Sequence, residues 1–260
     1  MGASFDITYV FEYFVKLLPT LKITLLIVGC SILMGLGVGF LVALPRLYQV
    51  PVLQRLSQVY VSFFRGTPIL IQLFLFYYGL PEILNYVFLD VSKVPALYFV
   101  ILTYALNMGA FMSEAIRGAV TAVDRGQVEA AYAVGMTGYQ AFSRIVLPQA
   151  LAISVPVFAN LVIATLKDTS LAFSLGIMEL TGKAQSLGGL DRHFIESYLA
   201  LAITYYIISF ILEKLFVLAE RKLLRHEQQI AAVKASFRWK KWSLPTRASD
   251  IEISKGGAGL

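Results

Sequence analysis

The sequence has little charge. Asp, Glu, Lys and Arg make up only 15% of the residues, whereas 58% are hydrophobic and the mean hydropathy is +0.72. A soluble domain usually carries about 25% charged residues. This shortage excludes a single water-soluble core and indicates a protein that crosses a membrane several times.

Cysteine and histidine are almost absent as well. Cys30 is the only cysteine, which excludes an internal disulfide, and His193 and His226 lie far apart without ligand-forming neighbours. The stretch closest to a nucleotide-binding loop, residues 176–183, has the wrong glycine spacing and is followed by Ala184 instead of Ser or Thr. We therefore expect no metal site, no catalytic residues and no nucleotide site in this chain, which is then not an enzyme by itself.

Long apolar runs are what the sequence has instead. About 20 apolar residues are needed to cross the hydrocarbon core of a bilayer. The runs that approach this length are residues 23–44, 57–80, 94–113, 149–166 and 197–218. They predict an all-α, polytopic membrane protein with about five transmembrane helices.

The runs also divide the chain into segments. We predict an extracytoplasmic N-terminal segment (1–16), a membrane domain (17–222) and a basic cytoplasmic tail (223–260) that is disordered or lies on anionic headgroups. The connections at residues 45–58, 81–93 and 179–196 are predicted as loops. Residues 170–178 are too short to span and are predicted as a re-entrant or interfacial piece.

Positive charge in short loops sets the orientation, because cytoplasmic loops carry an excess of Lys and Arg. Arg46 and Arg55 follow the first run, Arg117, Arg125 and Arg144 follow the third, and nine basic residues follow position 220. We therefore predict an outer N-terminus and a cytoplasmic C-terminus. Three basic residues between positions 167 and 192 lie outside in this arrangement, which the rule does not favour. The net charge of +6 is assigned to these loops and not to nucleic-acid binding.

An amphipathic island at residues 129–148 separates the third and fourth runs. Gly135 divides an Ala-rich helix from a second helix, which starts at Thr137 with Gln140 in capping-box spacing. Pro148 is expected to end or kink the second helix. By itself the pattern indicates an interfacial helical hairpin that links two spans.

Few polar residues interrupt the apolar runs, and each is a candidate functional residue because placing it in a bilayer is costly. Thr103, Asn107 and Glu114 share one helical face, and Glu114 is also spaced to form an interfacial ion pair with Arg117. Arg65 either lines a pathway or extends to the cytoplasmic interface.

Two further patterns predict how the spans are built. Gly35 and Gly39 form a GxxxG step that permits close packing of helices. Residues 66–68, Gly-Thr-Pro, follow Arg65 and mark a place for an irregular or kinked helix.

The fourth run closes with four polar residues, Lys167, Asp168, Thr169 and Ser170. A zwitterion that leaves water needs a donor or cation for its carboxylate and an acceptor for its ammonium group. Together with Asn107 and Thr103, these side chains are candidates to supply both. The alternative is an ion pair between Lys167 and Asp168 at the outer end of the helix.

The amphipathic island resembles the EAA loop of ABC importer permeases. The matching positions are Glu129, Ala130, Ala131, Gly135, Ile145, Leu147 and Pro148. Residues 60–68 (YVSFFRGTP) and 167–173 (KDTSLAF) resemble the polar amino-acid uptake branch, in particular cystine-type permeases. The resemblance covers most of residues 15–222 and implies a type I ABC importer permease fold, in which the island is the cytoplasmic coupling helix.

The resemblance also implies partners and a substrate. The partners are a pair of ATPase subunits that bind ATP and magnesium, a second identical or homologous permease and an extracytoplasmic amino-acid-binding protein. The implied substrate is a polar amino acid, L-cystine first, with glutamine, arginine and histidine as alternatives. Arg65 and Glu114 become candidates for pathway or gating roles.

A stand-alone secondary transporter is the alternative from another class. It predicts carboxylates deep in the spans and often an internal repeat. No repeat is visible in this sequence, and the best carboxylate, Glu114, lies at a span end.

Overall fold

The computed structural model describes residues 4–88, 90–91 and 93–223, and every regular element among them is helical. Residues 1–220 form one compact unit, and of the second unit only residues 221–223 are described. The predicted cytoplasmic tail lies outside the described residues from position 224 onward.

The described chain contains α-helices with the following bounds: α1 (Ile7–Leu17), α2 (Leu21–Leu47), α3 (Pro51–Gly66), α4 (Ile69–Phe74), α5 (Leu80–Asn85), α6 (Ala96–Thr121), α7 (Arg125–Ala133), α8 (Gly138–Ala141), α9 (Leu147–Asp168), α10 (Leu180–Asp191) and α11 (Phe194–Leu223). Short 3₁₀-helices (Leu18–Thr20, Thr169–Leu175) and π-helical turns (Leu75–Gly79, Phe142–Val146) join some of them.

Five helical segments account for the predicted membrane crossings. The stretches long and apolar enough to span alone are Ile7–Leu47, Ala96–Thr121, Gly138–Leu175 and Phe194–Lys222. The pair Pro51–Gly66 and Ile69–Asn85, between which the chain bends by 111°, makes the fifth crossing when it is counted as one broken span. The prediction of about five spans is confirmed, although the helices extend beyond the apolar runs because polar side chains are tolerated near helix ends.

The second predicted span is broken at the place that the sequence indicated. Thr67 and Pro68 are extended, with ψ angles of 143° and 137°, between the end of α3 and the start of α4. Proline disfavours the α conformation in the residue before it, so Thr67 leaves the helix. The crossing therefore consists of two half-helices and is not one continuous rod.

Three predicted loops are wrong in part, because helices occupy them. Pro45 lies inside α2 and Pro51 starts α3, which leaves a short connection, and residues 80–85 are helical. Residues 180–191, predicted as loop, form α10. The glycine that suggested a loop there is a packing position, since a Cβ atom on Gly182 would lie 2.8 Å from the Phe173 ring.

Pro148 does not end the second helix of the amphipathic island. The chain remains helical from Gly138 through α9, and Pro148 lies in the first turn of α9, directly after the π-helical turn at Phe142–Val146. A change between π and α bonding leaves a backbone position outside the ladder, so proline is accommodated there.

The first helix occupies the segment that was predicted to precede the membrane domain. Asp6 caps α1, since its side chain accepts from the Thr8 amide. The buried side of α1 packs against α10 and α11 in one apolar cluster, formed by Val10, Tyr13, Leu17, Leu180, Ala184, Leu187, Ala200 and Leu201.

The helices α2 and α6 form the central pair of the bundle, and they run parallel. Gly35 approaches Met108, and Gly39 approaches Met112, so higher numbers on one helix meet higher numbers on the other. A Cβ atom on Gly39 would lie 2.7 Å from the Met112 Cβ and 3.1 Å from the Gly109 carbonyl oxygen. The predicted GxxxG contact is confirmed, and its partner is α6.

This contact predicts opposite effects for two alanine substitutions in α2. Gly39→Ala should destabilise the protein by about 1–3 kcal/mol, because the new methyl group overpacks the contact with α6. The matched control is Gly37→Ala, since a Cβ atom there would meet no atom within 4 Å. The control should be neutral or stabilise by up to about 1 kcal/mol, because alanine is the better helix former.

Thermal unfolding of both purified variants in the same detergent gives the comparison. Equal shifts of the unfolding midpoint in the two variants would contradict the close α2–α6 contact.

Candidate functional site

The break between α3 and α4 is held together by one buried glutamine. Gln72 is fully buried, and its Nε2 donates to the Phe64 carbonyl (2.9 Å), the Thr67 carbonyl (3.0 Å) and the Thr67 hydroxyl (2.9 Å). The last carbonyls of a helix have no partner in the helix itself. Gln72 satisfies one of these groups and fixes the two half-helices relative to each other.

Asn107 of α6 completes this polar cluster. Its Nδ2 donates to the Gln72 Oε1 at 2.9 Å and to the Phe64 carbonyl at 3.3 Å. It lies near the middle of the 26-residue helix α6, so the break lies at mid-depth of the bundle. Broken helices at mid-depth are a usual place for substrate sites in transporters.

Thr103, one turn before Asn107, does not reach this cluster. Its side chain is fully buried and donates back to the Phe99 carbonyl at 2.7 Å within α6. The structure therefore places Thr103 in the core of the bundle, although it shares a helical face with Asn107.

The polar end of α9 is tied to α6 through the backbone of Asp168. The hydroxyl group of Tyr104 donates to the Asp168 carbonyl oxygen. Asp168 and Ser170 are half-buried, Lys167 is exposed, and Thr169 is fully buried with its hydroxyl donating to the Leu166 carbonyl. The Lys167 ammonium and the Asp168 carboxylate are not within ion-pair distance, so the alternative of a helix-end ion pair is not formed.

The helix α6 brings the two halves of the candidate site together. Tyr104, which holds Asp168, lies three residues before Asn107, which is a rise of about 4.5 Å along the helix axis. Tyr104 thus joins this segment of α6 to the backbone of Asp168, whereas the hydrogen bonds of the Asn107 side chain go to Gln72 and Phe64. This segment contacts the broken crossing at Phe64 and Gln72.

Glu114 lies further along α6 and is engaged by two arginines. Its Oε2 accepts from the Arg117 Nη2 at 2.9 Å, as the spacing predicted, and its Oε1 accepts from the Arg46 Nη1 near the end of α2. The second pair links the ends of α2 and α6. Sequence reasoning counted Arg46 only as a loop charge, because nothing local indicates a partner 68 residues away.

Arg65, at the end of α3, contacts an aromatic ring. Its guanidinium lies 5.4 Å from the centroid of the Phe111 ring on α6. The side chain is exposed in the single chain. Such a cation–π contact lowers the cost of a guanidinium in an apolar region.

The amphipathic island folds as two short helices around Gly135. Asp124 caps α7 by accepting from the Gly126 amide at 2.9 Å. Gly135 has a φ of +84°, and Thr137 and Gln140 form the predicted capping box. The island is tied to α9 by Gln149, whose Nε2 donates to the Gln127 Oε1.

One side of the island is exposed and partly aromatic. Ala131 is buried, Ile145 is half-buried, and Glu129, Ala130, Gly135, Leu147 and Pro148 are exposed. The most exposed apolar side chains are Tyr139 (81%), Val134 (75%) and Tyr132 (54%). Exposed aromatic side chains that cluster on a connecting segment are typical of a docking surface for another protein.

A buried carboxylate that sequence reasoning did not select lies at the start of α10. Glu179 is fully buried, and its Oε1 accepts from the amides of Thr181 (2.8 Å) and Gly182 (3.0 Å). Its Oε2 accepts from the Tyr205 hydroxyl at 3.1 Å. Burial raises the pKa of the Glu179 carboxyl above its usual range, and the two amides oppose that rise.

Gln72 and Glu179 are two buried polar groups that the sequence analysis did not select. A glutamine inside the second apolar run and a glutamate after the 170–178 piece were signals available in the sequence, since such residues are costly when buried without partners. Within the described residues, no buried side-chain nitrogen or oxygen lacks a hydrogen-bond partner. The same residues contain no group of three or more His, Cys, Asp or Glu placed to hold a metal ion.

Comparisons with known proteins agree with this architecture. Residues 35–225 match the family model described as "Binding-protein-dependent transport system inner membrane component". The chain is 43% identical over 233 residues to the L-cystine transport system permease protein TcyL of Bacillus subtilis (strain 168), which covers 90% of this chain and 98% of that relative. It is 40% identical over 220 residues to the probable amino-acid ABC transporter permease protein PatM of Vibrio harveyi, covering 85% and 97% of the two chains.

A solved structure gives the same result for the fold. The chain matches a permease in the crystal structure of an amino acid ABC transporter with histidines at a TM-score of 0.73 and 28% identity. The match covers 85% of this chain and 100% of that chain.

The helical fold and the exposed island between two crossings define a multi-pass transport permease of the inner membrane. The chain belongs to the family of binding-protein-dependent transport system inner membrane components, and within it to the ABC importer permeases. The resemblance stated from the EAA positions is thereby confirmed at the level of the family.

Proposed function

We propose that this chain is the membrane subunit of an ATP-driven importer of polar amino acids, with L-cystine as the first candidate substrate. The names of the relatives at 43% and 40% identity support an amino acid, and the first of them supports cystine. Glutamine, arginine and histidine are the alternatives within the same family.

The observation that carries the proposal is the polar cluster at the broken crossing. Non-helical backbone at membrane depth is tolerated only where protein covers it or where it lines a water-filled cavity. Here the break, Gln72 and Asn107 form one hydrogen-bonded unit in the middle of an otherwise apolar bundle. A solute with an ammonium and a carboxylate group requires such fixed amide groups when it leaves water.

The predicted pathway residues receive different roles in this proposal. Asn107 and the Asp168 carboxylate contact the substrate, Lys167 helps to hold the charge balance of the site, and Ser170 adds a polar hydroxyl group beside them. Thr169 and Thr103 are buried with their hydroxyls bonded within their own helices, so they support the backbone at the site. Arg65 borders the break, Glu114 lies further along α6, and both take part in gating the route.

The exposed island and the membership of the family support the proposed partners. The exposed aromatic side of the island is the docking surface for an ATPase subunit, with Glu129, Ala130, Ala131, Gly135, Ile145, Leu147 and Pro148 as the coupling positions. Two ATPase subunits would bind ATP and magnesium, and a second permease, identical or homologous, would complete the pathway. A binding protein outside the membrane would deliver the amino acid.

In the proposed mechanism, ATP-driven closure of the ATPase pair moves the two islands towards each other. The tie between Gln149 and Gln127 and the apolar contact of the island with the base of α6 and α9 transmit this movement to the spans. The spans then alternate between outward and inward access around the polar cluster.

The first prediction tests the pathway. Asn107→Ala and Asp168→Ala should reduce uptake of labelled substrate at least about tenfold, since each removes a polar partner of a desolvated charge, with basal ATP hydrolysis near normal. The broken crossing should survive in the Asn107 variant because Gln72 still donates to the Phe64 carbonyl. Asn85→Ala, an exposed asparagine at the end of α5, is the matched control.

The measurement is uptake into proteoliposomes that contain the tagged chain with its co-purified partners, tested with cystine, glutamine, arginine and histidine. Transport at the normal rate and affinity by both variants would assign these residues to structure alone. No uptake of any amino acid by the unaltered complex would overturn the proposed substrate class.

The second prediction tests coupling. Gly135→Val should uncouple transport, because a β-branched residue at a φ of +84° is strained by about 1–2 kcal/mol although space is open around the Cα. Gly138→Ala, in the same island at an ordinary helical position, is the control. Substrate-stimulated ATP hydrolysis and co-purification of the ATPase should fall only in the first variant. Unchanged transport by Gly135→Val would show that the island is only a connection.

The third prediction tests the proposed orientation, with the N-terminus outside and the C-terminus cytoplasmic. In a Cys30→Ala background, Gln140→Cys should react with an impermeant thiol reagent only from the cytoplasmic side. Gly189→Cys, at an exposed position with open space around it, should react only from outside. Reaction of both from the same side would refute the arrangement, and the opposite pattern would reverse the orientation.

A further inference from the structure

The segment between α9 and α10 begins with proposed pathway residues and has an unusual conformation. It runs from Asp168 through the 3₁₀-helix Thr169–Leu175 and turns at Gly176, which has a φ of +78°, before Glu179. A 3₁₀-helix of seven residues is long for this geometry, whose hydrogen bonds are poorer than those of an α-helix. The segment therefore needs support from outside itself.

A tyrosine hydroxyl holds the first end of this segment. Tyr104 of α6 is 1% exposed, and its hydroxyl donates to the backbone carbonyl of Asp168. That carbonyl lies at the junction of α9 with the 3₁₀-helix, where Asp168 is the N-cap residue and its carbonyl also begins the hydrogen bonding of that helix. The hydroxyl adds a bond from another span and ties the backbone from which the Asp168 carboxylate projects to α6.

A second tyrosine hydroxyl holds the other end. Tyr205 of α11 donates to the Oε2 of Glu179, and the same hydroxyl lies 3.3 Å from the Thr181 hydroxyl. The Oε1 of Glu179 meanwhile accepts the amides of Thr181 and Gly182. Glu179 thus connects the start of α10 to α11 through a carboxylate that is entirely buried.

Between these ends the segment is anchored by apolar contacts. Ala172 and Leu175 are buried in an apolar cluster together with Tyr104, whereas Ser174 is exposed. The two hydroxyls come from different spans, α6 and α11. Their bonds therefore determine where the segment, and Asp168 with it, lies relative to the break in the second crossing.

We propose that Tyr104 and Tyr205 are positioning residues that hold the Asp168–Glu179 segment, and with it the Asp168 carboxylate, in place for the substrate. This inference rests on the proposed function for its transport consequence, but its structural part does not. Neither tyrosine touches the substrate in this arrangement. Each acts through the backbone of Asp168 or through the Glu179 carboxylate.

The test uses substitutions that remove only a hydroxyl group. Tyr104→Phe and Tyr205→Phe should each raise the KM for uptake about three- to tenfold, the range expected for loss of one hydrogen bond. The maximal rate and the basal ATP hydrolysis should change less than about twofold, because the coupling island is not involved. Tyr98→Phe on α6 and Tyr206→Phe on α11, both well exposed, are the matched controls and should leave KM unchanged.

A second pair of variants tests whether Glu179 acts through its hydrogen bonds or only through its charge. Glu179→Gln keeps an acceptor for the two amides and a polar group for Tyr205, so it should retain a KM within about twofold of normal. Glu179→Leu removes both and should raise KM at least as much as Tyr205→Phe. Equal defects in the two variants would contradict a role that depends on hydrogen bonding.

A readout independent of transport distinguishes failure of this inference from failure of the proposed function. In the Cys30→Ala background, a thiol introduced by Ser174→Cys should react faster with an impermeant reagent when Tyr104 or Tyr205 is replaced by Phe, and at the normal rate in both controls. Unchanged reactivity and unchanged KM in both Phe variants would overturn the inference, as would a lower maximal rate at normal KM. Changed reactivity in a protein that transports no amino acid would support the positioning and reject only the substrate.

Discussion

The requirement that every backbone polar group within the hydrocarbon find a partner inside the protein governs this structure. The second crossing is interrupted at Thr67 and Pro68, which frees carbonyl groups at mid-depth of the bundle. A single side chain, Gln72, takes up the Phe64 and Thr67 carbonyls, and Asn107 adds a second donor. The bundle can therefore contain an irregular segment at this depth without an unsatisfied group.

The same requirement explains why α6 organises so much of the molecule. Glycines of α2 let it approach α6 closely. Along its length α6 then supplies Tyr104 to the end of α9, Asn107 to the break and Glu114 to Arg46. One helix thus carries groups that reach three other crossings, which keeps the polar cluster in a fixed frame.

Sequence patterns predicted those features whose causes are local. The apolar runs indicated the crossings, Gly-Thr-Pro indicated the break, and Thr137 with Gln140 indicated the cap of the second island helix. The loop predicted at residues 179–196 failed because the stabilising contacts of α10 are distant in the chain, namely Glu179 with Tyr205 and the apolar side of α10 with α1 and α11. The Arg46–Glu114 pair and the Gln72–Asn107 pair were hidden for the same reason, since their partners lie 68 and 35 residues apart in the chain.

The parallel pairing of α2 and α6 has a consequence for how the protein is made. Parallel neighbours cannot be joined by a tight hairpin, so α2 enters the bilayer before its main partner has been synthesised. At about 5–20 residues per second, the stretch of roughly 70 residues that must follow takes on the order of 4–15 s of translation. During that interval the glycine face of α2 has no packing partner from its own chain. It can contact the insertion machinery, lipid or other nascent helices instead. Biogenesis of this fold therefore depends on α2 remaining unpaired until α6 has been synthesised.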